Sequence, residues 1–298
     1  MSSTLLIQQI FNGFSLGSMY ALIAIGYTMV YGVLRLINFA HGDIMMIGSY
    51  ACLFALNFFA FPFIPAFGFA ILICIALGIS IDKIAYKPLR NSPRISLLIT
   101  AIGVSFFLEN LINVLFTSTP QPFNAPSILI NPINLFDIRM SLLDLIIPTL
   151  TIIILIAVLL ILYKSKYGIA IRALAFDIST VALMGIDANK IIAFVFALGS
   201  MLACIGGIFW ACKYPQIDPN MGVLIGLKAF GAAVLGGIGS VGGAVLGGLI
   251  IGFCEVLIVA FMPDLAGFKD GFAFIFLVFV LLFKPTGIMG QDYERSRF

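Results

Sequence analysis

Charge is what this sequence has least of. Of 298 residues, 16 are Lys or Arg and 13 are Asp or Glu; there is one histidine and one tryptophan, and the first charged residue is Arg35. A soluble domain is about 25% charged. Here the figure is 10%, beside 62% hydrophobic residues and a mean hydropathy of +1.17, so most of the surface is expected to face lipid. One histidine, no paired acidic metal motif and no GxSxG leave little chemistry from which to build an enzyme. A GxxxxGK[ST] loop is also missing, so the chain is not expected to bind ATP itself. Five cysteines (Cys52, Cys74, Cys204, Cys212, Cys254) lie scattered in apolar runs without metal-ligand spacing, and they read as small core residues. With no basic residue ahead of the first apolar run, a cleavable signal peptide is not expected.

What is there is continuous apolar sequence. A β-barrel would alternate polar and apolar residues, so the runs predict helices. The fold class is all-α: one domain over residues 1–298, a polytopic helical membrane protein of about eight to nine transmembrane or half-membrane helices. A span needs about 20 apolar residues. Candidates lie near 14–34, 44–60, 62–81, 95–117, 142–163, 191–211, 223–239, 243–262 and 271–283. The uncharged stretch 1–34 is too long for one upright span, and Gln8, Gln9 and Asn12 predict a separate interfacial helix before it. The runs 44–60 and 223–239 have 17 residues each and could be broken or re-entrant.

Basic residues set the orientation. Lys83, Lys87, Arg90 and Arg94 fill one connection, Lys164, Lys166, Arg172 and Lys190 another, and Lys284, Arg295 and Arg297 the tail. Only Arg139, Lys213 and Lys269 fall on the opposite side. By the positive-inside rule the first set is cytoplasmic, 118–141 is an external loop, and nine alternating spans put the N-terminus outside.

The segment "LRLINFAHGDIMMIGSY" (34–50) interrupts this pattern. Asn38, His41 and Asp43 can be read as a tight turn that caps the next helix, or as irregular backbone placed at membrane depth. The surrounding "FNGFSLGSMYALIAIGYTMVYGVLRLINFAHGDIMMIGSY" closely resembles the start of the branched-chain amino acid permeases of bacterial ATP-binding-cassette importers. The resemblance continues through "DKIAYKPLRNSPRISLLITAIGVSFFLEN", "YGIAIRALAFDISTVALMGIDANKIIAFVFALGS", "GLKAFGAAVLGGIGSVGGAVLGGLIIGFCE" and "KPTGIMG". It implies an inner-membrane permease paired with a second, related permease. Two cytoplasmic ATPase subunits would carry the ATP and Mg, and an extracytoplasmic binding protein would deliver a branched-chain or similar amino acid. Membrane lipid, and no nucleic acid, completes the implied partners. The resemblance favours a pathway-flanking break over a simple turn.

Three further segments carry candidate roles. In the cytoplasmic connection 164–190, Ile171, Leu174, Ile178, Val181 and Gly185 form one apolar helical stripe, with Arg172, Asp177, Ser179 and Thr180 on other faces. This predicts a helix over 171–184 stopped by Gly185, with Asp187 capping the next span. Such a helix can rest on lipid or, as the resemblance implies, dock into an ATPase, with Leu174 and Ile178 as knobs and Phe176 and Asp177 at the rim. Gly239, Gly243 and Gly247 form one small-xxx-small row and Gly248 and Gly252 another, which predicts close helix packing; "GGIGSVGG" (236–243) could also act as a hinge. Finally, Ser105, Glu109, Asn113 and Thr117 make a polar stripe on one span. Glu109, Glu255 and Lys228 lie about 12, 10 and 7 Å inside the outer boundary, where they read equally as interhelical glue or as part of a route for a zwitterion.

The resemblance makes the leading function an ATP-driven permease. An ion-coupled secondary transporter or a passive channel, with the Glu109 stripe as its site, is the alternative.

Overall fold

Peptide groups in lipid have no water to bond, so an apolar run must close its own hydrogen bonds, and only a helix does this within one segment. The computed structural model describes residues 3–290 apart from 91, 136–137, 178–180 and 182, with the backbone alone for 3, 4, 134, 135, 138 and 139. Each of the nine apolar runs forms a helix: α1 Ser3–Leu34, α2 His41–Asn57, α3 Phe63–Ile81, α4 Arg94–Phe116 and α5 Leu142–Lys164, then, after a short helix α6 Lys166–Phe176, α7 Ala188–Lys213, α8 Met221–Gly236, α9 Val241–Phe261 and α10 Lys269–Phe283. Seven stretches are long and apolar enough to cross a membrane. Among the described residues α2, with 17, and α8, with 16, fall short and correspond to the two short runs of the sequence; α10 alone has 15 and reaches spanning length only together with the turn Pro263–Phe268 before it.

The bundle has a centre and a rim. In α1 and α7, 89% and 72% of the most apolar window is buried, whereas in α4 and α5 the figures are 22% and 17%. α1 therefore forms the axis and the last two face lipid. The expected break between an interfacial helix and the first span does not occur, because α1 is continuous from Ser3 to Leu34. Neither Gln8 nor Asn12 interrupts a helix that no proline or loop forces open, and Asn12 simply bonds Gln9 one turn away at 3.2 Å.

Polar contacts pin both ends. On the side with few basic residues, Lys213 of α7 reaches Asp144 of α5 at 2.7 Å and Ser15 of α1 at 2.8 Å. There β1 (Gln121–Pro122) pairs with β4 (Gln216–Ile217), and β2 (Pro132–Leu135) with β3 (Ile138–Ser141), so the external loop is a small hairpin rather than bare coil. At the basic end, Arg90 bonds Asp82 at 2.5 Å and Asn189 at 2.8 Å. Asp187 caps α7 through the amides of Asn189 and Lys190; the Lys190 amide does most to hold its carboxyl below the usual carboxylate range.

Close approach of backbones locks the centre. A Cβ on Gly17 would lie 2.7 Å from Leu249 Cα, and one on Gly248 would lie 2.7 Å from Ala21 Cα. Gly252 faces Gly17, while Gly243 and Gly247 face Gly236 and Ala232 of α8. The glycine rows thus join helices of this one chain. Gly239 departs from its expected row: it precedes α9, has φ +94°, and has open space where a Cβ would stand. The row requires helix at 239, but the chain turns there.

These contacts set an expectation. Gly248→Val should drive α1 and α9 apart and cost about 1–3 kcal/mol by overpacking. Gly242→Ala, where nothing lies within 4 Å, should be neutral. Thermal melting of the purified protein in detergent checks the contrast, and equal melting of the two variants would refute it.

Candidate functional site

The polar break enters the bundle. After α1 ends at Leu34, Arg35 turns the chain with φ +51° and its guanidinium donates to Ala175 O at 3.2 Å, at the end of α6. The chain then climbs back beside α1, and α2 begins at His41. A Cβ on Gly26 would lie 2.5 Å from His41 Nε2. Gly26 stands eight residues before the end of α1, which puts His41 about 12 Å from that end. α2 therefore starts inside the membrane. Asn38, His41 and Asp43 are 2%, 1% and 1% exposed, so the segment is no open cytoplasmic turn.

Nor does it act as a cap. The N-cap position is Ala40, which makes no side-chain bond to the helix. Instead Asn38 Oδ1 accepts from Tyr86 Oη at 2.7 Å, and Asp43 Oδ2 accepts from Ser105 Oγ of α4. Asn38 Nδ2, His41 Nε2 and Asp43 Oδ1 are buried with no protein partner. Buried polar atoms are bonded in the large majority of cases, so three in one stretch stand out.

The second short helix meets this one. α8 begins at Met221, and Gly222 and Gly226 on its first turns lie against Gly42: a Cβ on Gly226 would stand 2.8 Å from Gly42 Cα, and one on Gly222 would stand 3.0 Å from Asp43 Oδ1. Two helix N-termini, each the positive end of its helix dipole, thus face one region together with Asp43, although the amides of His41, Ile44, Met221 and Val223 already bond neighbouring carbonyls. The apposition depends on Gly42 meeting Gly222 and Gly226 from about 180 residues away; spacing within one segment carries no signal of such a cross-helix pair.

The other predicted residues divide. Ser105 joins the break, and the carboxylate of Glu109 acts electrostatically on Asp43. Asn113 lies two turns further along α4, half-buried. Lys228 and Glu255 form a separate centre at 3.0 Å. That centre includes two residues the sequence reading missed: Asp270, 2.6 Å from Lys228, and Tyr20, whose hydroxyl lies 3.1 Å from both Glu255 oxygens and 3.2 Å from Lys228 Nζ. Asp270 stands one residue before the last apolar run, an available signal. Glu109 takes no part in this centre. Four helices contribute to it, and the one ammonium of Lys228 is shared by the two carboxylates.

The cytoplasmic segment also differs from expectation. α6 ends at Phe176, not past 180, and Asp177 is extended. Ile171 and Leu174 are 6% and 1% exposed against their own chain, so Leu174 is not a knob for a partner: the amphipathic stripe is spent on the bundle. Among the described residues of this segment Phe176, Leu183 and Met184 are the most exposed apolar groups, at 78%, 88% and 76%, ahead of Ile169 and Tyr167. Arg172 stacks over Tyr163 at 5.2 Å, and Gly185 takes φ +79° as a chain-turning glycine. Ile178, Ser179, Thr180, Arg295 and Arg297 lie outside the described residues. Between the inner ends of α1, α5 and α8 lies a hollow of about 900 Å³, lined among others by Thr28, Arg35, Arg94, Arg172 and Gly239.

Two short helices that meet at depth around unfilled polar groups, inside a bundle of full spans, are the build of a membrane transport protein. The model of the family described as branched-chain amino acid transport system / permease component matches residues 9–281. The chain is 41% identical to the high-affinity branched-chain amino acid transport system permease protein BraD of Pseudomonas aeruginosa, over 96% of each chain. It is 42% identical to the corresponding protein LivH of Escherichia coli, again over 96% of each. A probable branched-chain amino acid transport permease protein of Methanocaldococcus jannaschii is 30% identical over 94% of this chain and 91% of its own. The chain belongs to this permease family, a family of transport subunits and not of enzymes, and is a multi-pass inner-membrane protein.

The ion centre yields an asymmetric expectation. Lys228→Met leaves two carboxylates facing each other and should cost about 3–5 kcal/mol, the usual loss on breaking a buried pair. Glu255→Gln leaves Lys228 paired with Asp270 and should cost much less. The double variant should melt above Lys228→Met alone. Additive losses in a double-mutant cycle would refute the pairing.

Proposed function

We propose that this chain is the permease subunit of an ATP-driven importer that moves branched-chain amino acids inward by alternating access. The observation that carries the reading is the buried meeting of α2 and α8 around Asn38, His41 and Asp43. An amino acid is a zwitterion. Its carboxylate suits the paired helix N-termini and the Asn38 amide, and its ammonium suits the unpartnered oxygen of Asp43. Ser105 and Glu109 extend the polar surface along α4. Lys228 and Glu255, fully engaged with each other, Tyr20 and Asp270, serve instead to hold α1, α8, α9 and α10 together.

The chain needs companions in this scheme: a second related permease, two ATPase subunits holding ATP and Mg, and an external binding protein that selects the amino acid. The segment from Phe176 to Gly185 is the contact offered to an ATPase, with Phe176, Leu183 and Met184 as its apolar groups and Asp177 beside them. Its support is exposure, since the bundle leaves these side chains uncovered at its basic end while Ile171 and Leu174 anchor α6 to it. Arg35 joins the end of α6 to the start of the polar break, so a pull on the first is felt at the second.

Two measurements test the scheme. Uptake of labelled leucine should stop on ATP depletion while the membrane potential is maintained; uptake driven by the potential alone would overturn the ATP-driven reading. Phe176→Ser with Leu183→Ser should leave insertion and melting unchanged yet lower co-purifying ATPase several-fold. Leu174→Ser should act differently, reducing folded yield, because burying a leucine contributes about 2 kcal/mol. Retention of the ATPase by the double variant would refute the contact.

A further inference from the structure

Between the polar break and the cytoplasmic hollow stand three aromatic rings. Tyr27 packs on His41 at 4.5 Å between centroids, on the side toward the end of α1. Phe230 of α8 lies 5.9 Å from Tyr27 and 6.3 Å from Phe39. It stands one turn beyond Gly226, the glycine that touches Gly42, in the direction of the cytoplasm. The three rings come from α1, from the break and from α8, so they close over the break from three sides.

Beneath them is a void of about 10 Å³, bounded by Tyr27, Tyr31, Ile37, Phe230, Ala233 and Ile238. Such a volume holds about one water and is far too small for an amino acid. Two of its walls, Tyr31 and Ile238, also line the 900 Å³ hollow. The order from the centre outward is therefore polar break, aromatic rings, small void, open hollow. Tyr31, the other ring on this line, borders the hollow itself.

The rings also stand next to a glycine turn. Gly237 and Gly239 have φ +107° and +94°, and they join α8 to α9 beside Ile238. The last turn of α8 is held from outside the helix: Ile288 N donates to Leu235 O at 2.9 Å and Met289 N to Gly236 O at 2.8 Å. These bonds satisfy carbonyls that a helix end leaves open. A shift of the 284–290 segment would accordingly carry the end of α8, and Phe230 with it.

We propose that Tyr27, Phe39 and Phe230 form the cytoplasmic gate of the amino-acid route, closed in this structure and opened by displacement of the lower half of α8. The proposal rests on the reading of the polar break as part of that route. It assigns a transport role to residues whose ring contacts alone would suggest core packing, and it gives the glycine turn at 237–239 a reason to sit where it does. Each such ring pair contributes only modestly beyond its burial, on a scale that a driven conformational step can overcome in each cycle.

The test uses the assembled transporter in liposomes, with the five native cysteines replaced by alanine and a single His41→Cys reporter. A small membrane-impermeant thiol reagent is applied from the cytoplasmic side. With the rings intact, labelling should be slow without nucleotide. Phe39→Ala with Phe230→Ala should speed it roughly tenfold or more, as expected when a closed barrier is lost, and Phe230→Leu alone should give an intermediate rate. The same ring variants, carrying native His41, should leak preloaded labelled leucine without ATP. Co-purification of the companion subunits confirms assembly, and the leucine variant supplies the measurement if the double alanine variant does not assemble. Unchanged labelling in assembled variants would overturn the gate. Faster labelling without any leucine leak would show a water barrier that the amino acid does not cross; it would overturn the route through the break, and with it the gate's role in transport.

Discussion

Lipid gives helices no hydrophobic reason to associate, so this bundle depends on how closely its backbones approach. Three glycine contacts set that approach. Gly17 with Gly248 and Gly252 joins α1 to α9, Gly236 with Gly243 joins α8 to α9, and Gly42 with Gly222 and Gly226 joins α2 to α8. A side chain at any of these points would meet a main-chain atom, which cannot rotate away. The positions of the remaining groups follow: Tyr20 reaches Glu255 only because α1 and α9 nearly touch, and His41 lies at the level of Gly26 only because α1 offers no Cβ there.

Within that frame the polar groups fall into two kinds. At Lys228 the charges are answered by Glu255 and Asp270, with Tyr20 bridging. A satisfied network of this kind fixes one arrangement of helices. At Asn38, His41 and Asp43 single atoms are answered and others left open. An open polar atom is a cost that a static scaffold has no reason to keep. This contrast between the two centres is what the proposed division into glue and route rests on.

The cytoplasmic side connects these parts. α6 is anchored by its apolar stripe, ends beside exposed Phe176, and accepts a bond from Arg35 at Ala175. Three residues after Arg35 comes Asn38. A contact made at the surface is thus one short, strained turn from the buried break, while the segment at 284–290 holds the end of α8 on the other side of the hollow. Coupling through two such handles needs no long relay of side chains.

The sequence by itself determined the class of the molecule. Continuous apolar runs allow only helices in lipid, and their lengths marked 44–60 and 223–239 as short, with 271–283 needing flanking residues to span. A buried pairing of Lys228 with Glu255 or Glu109 was legible from depth, since opposite charges in one half of the bilayer have few other ways to be tolerated; the packing of α8 on α9 selected Glu255. Asp187 was legible as a cap because that bond is local. Tertiary structure alone decided which faces were already occupied. Leu174 has the periodicity of a docking residue, but the stripe records only that a surface must be covered, not by what, and its own bundle covers it. Gly239 fits a four-residue row yet turns the chain, because a row in sequence does not say where a helix starts. The meeting of Gly42 with Gly222 and Gly226, and the rings of Tyr27, Phe39 and Phe230 beside it, join segments about 180 residues apart; no local pattern encodes such a contact, which exists only when the spans have packed.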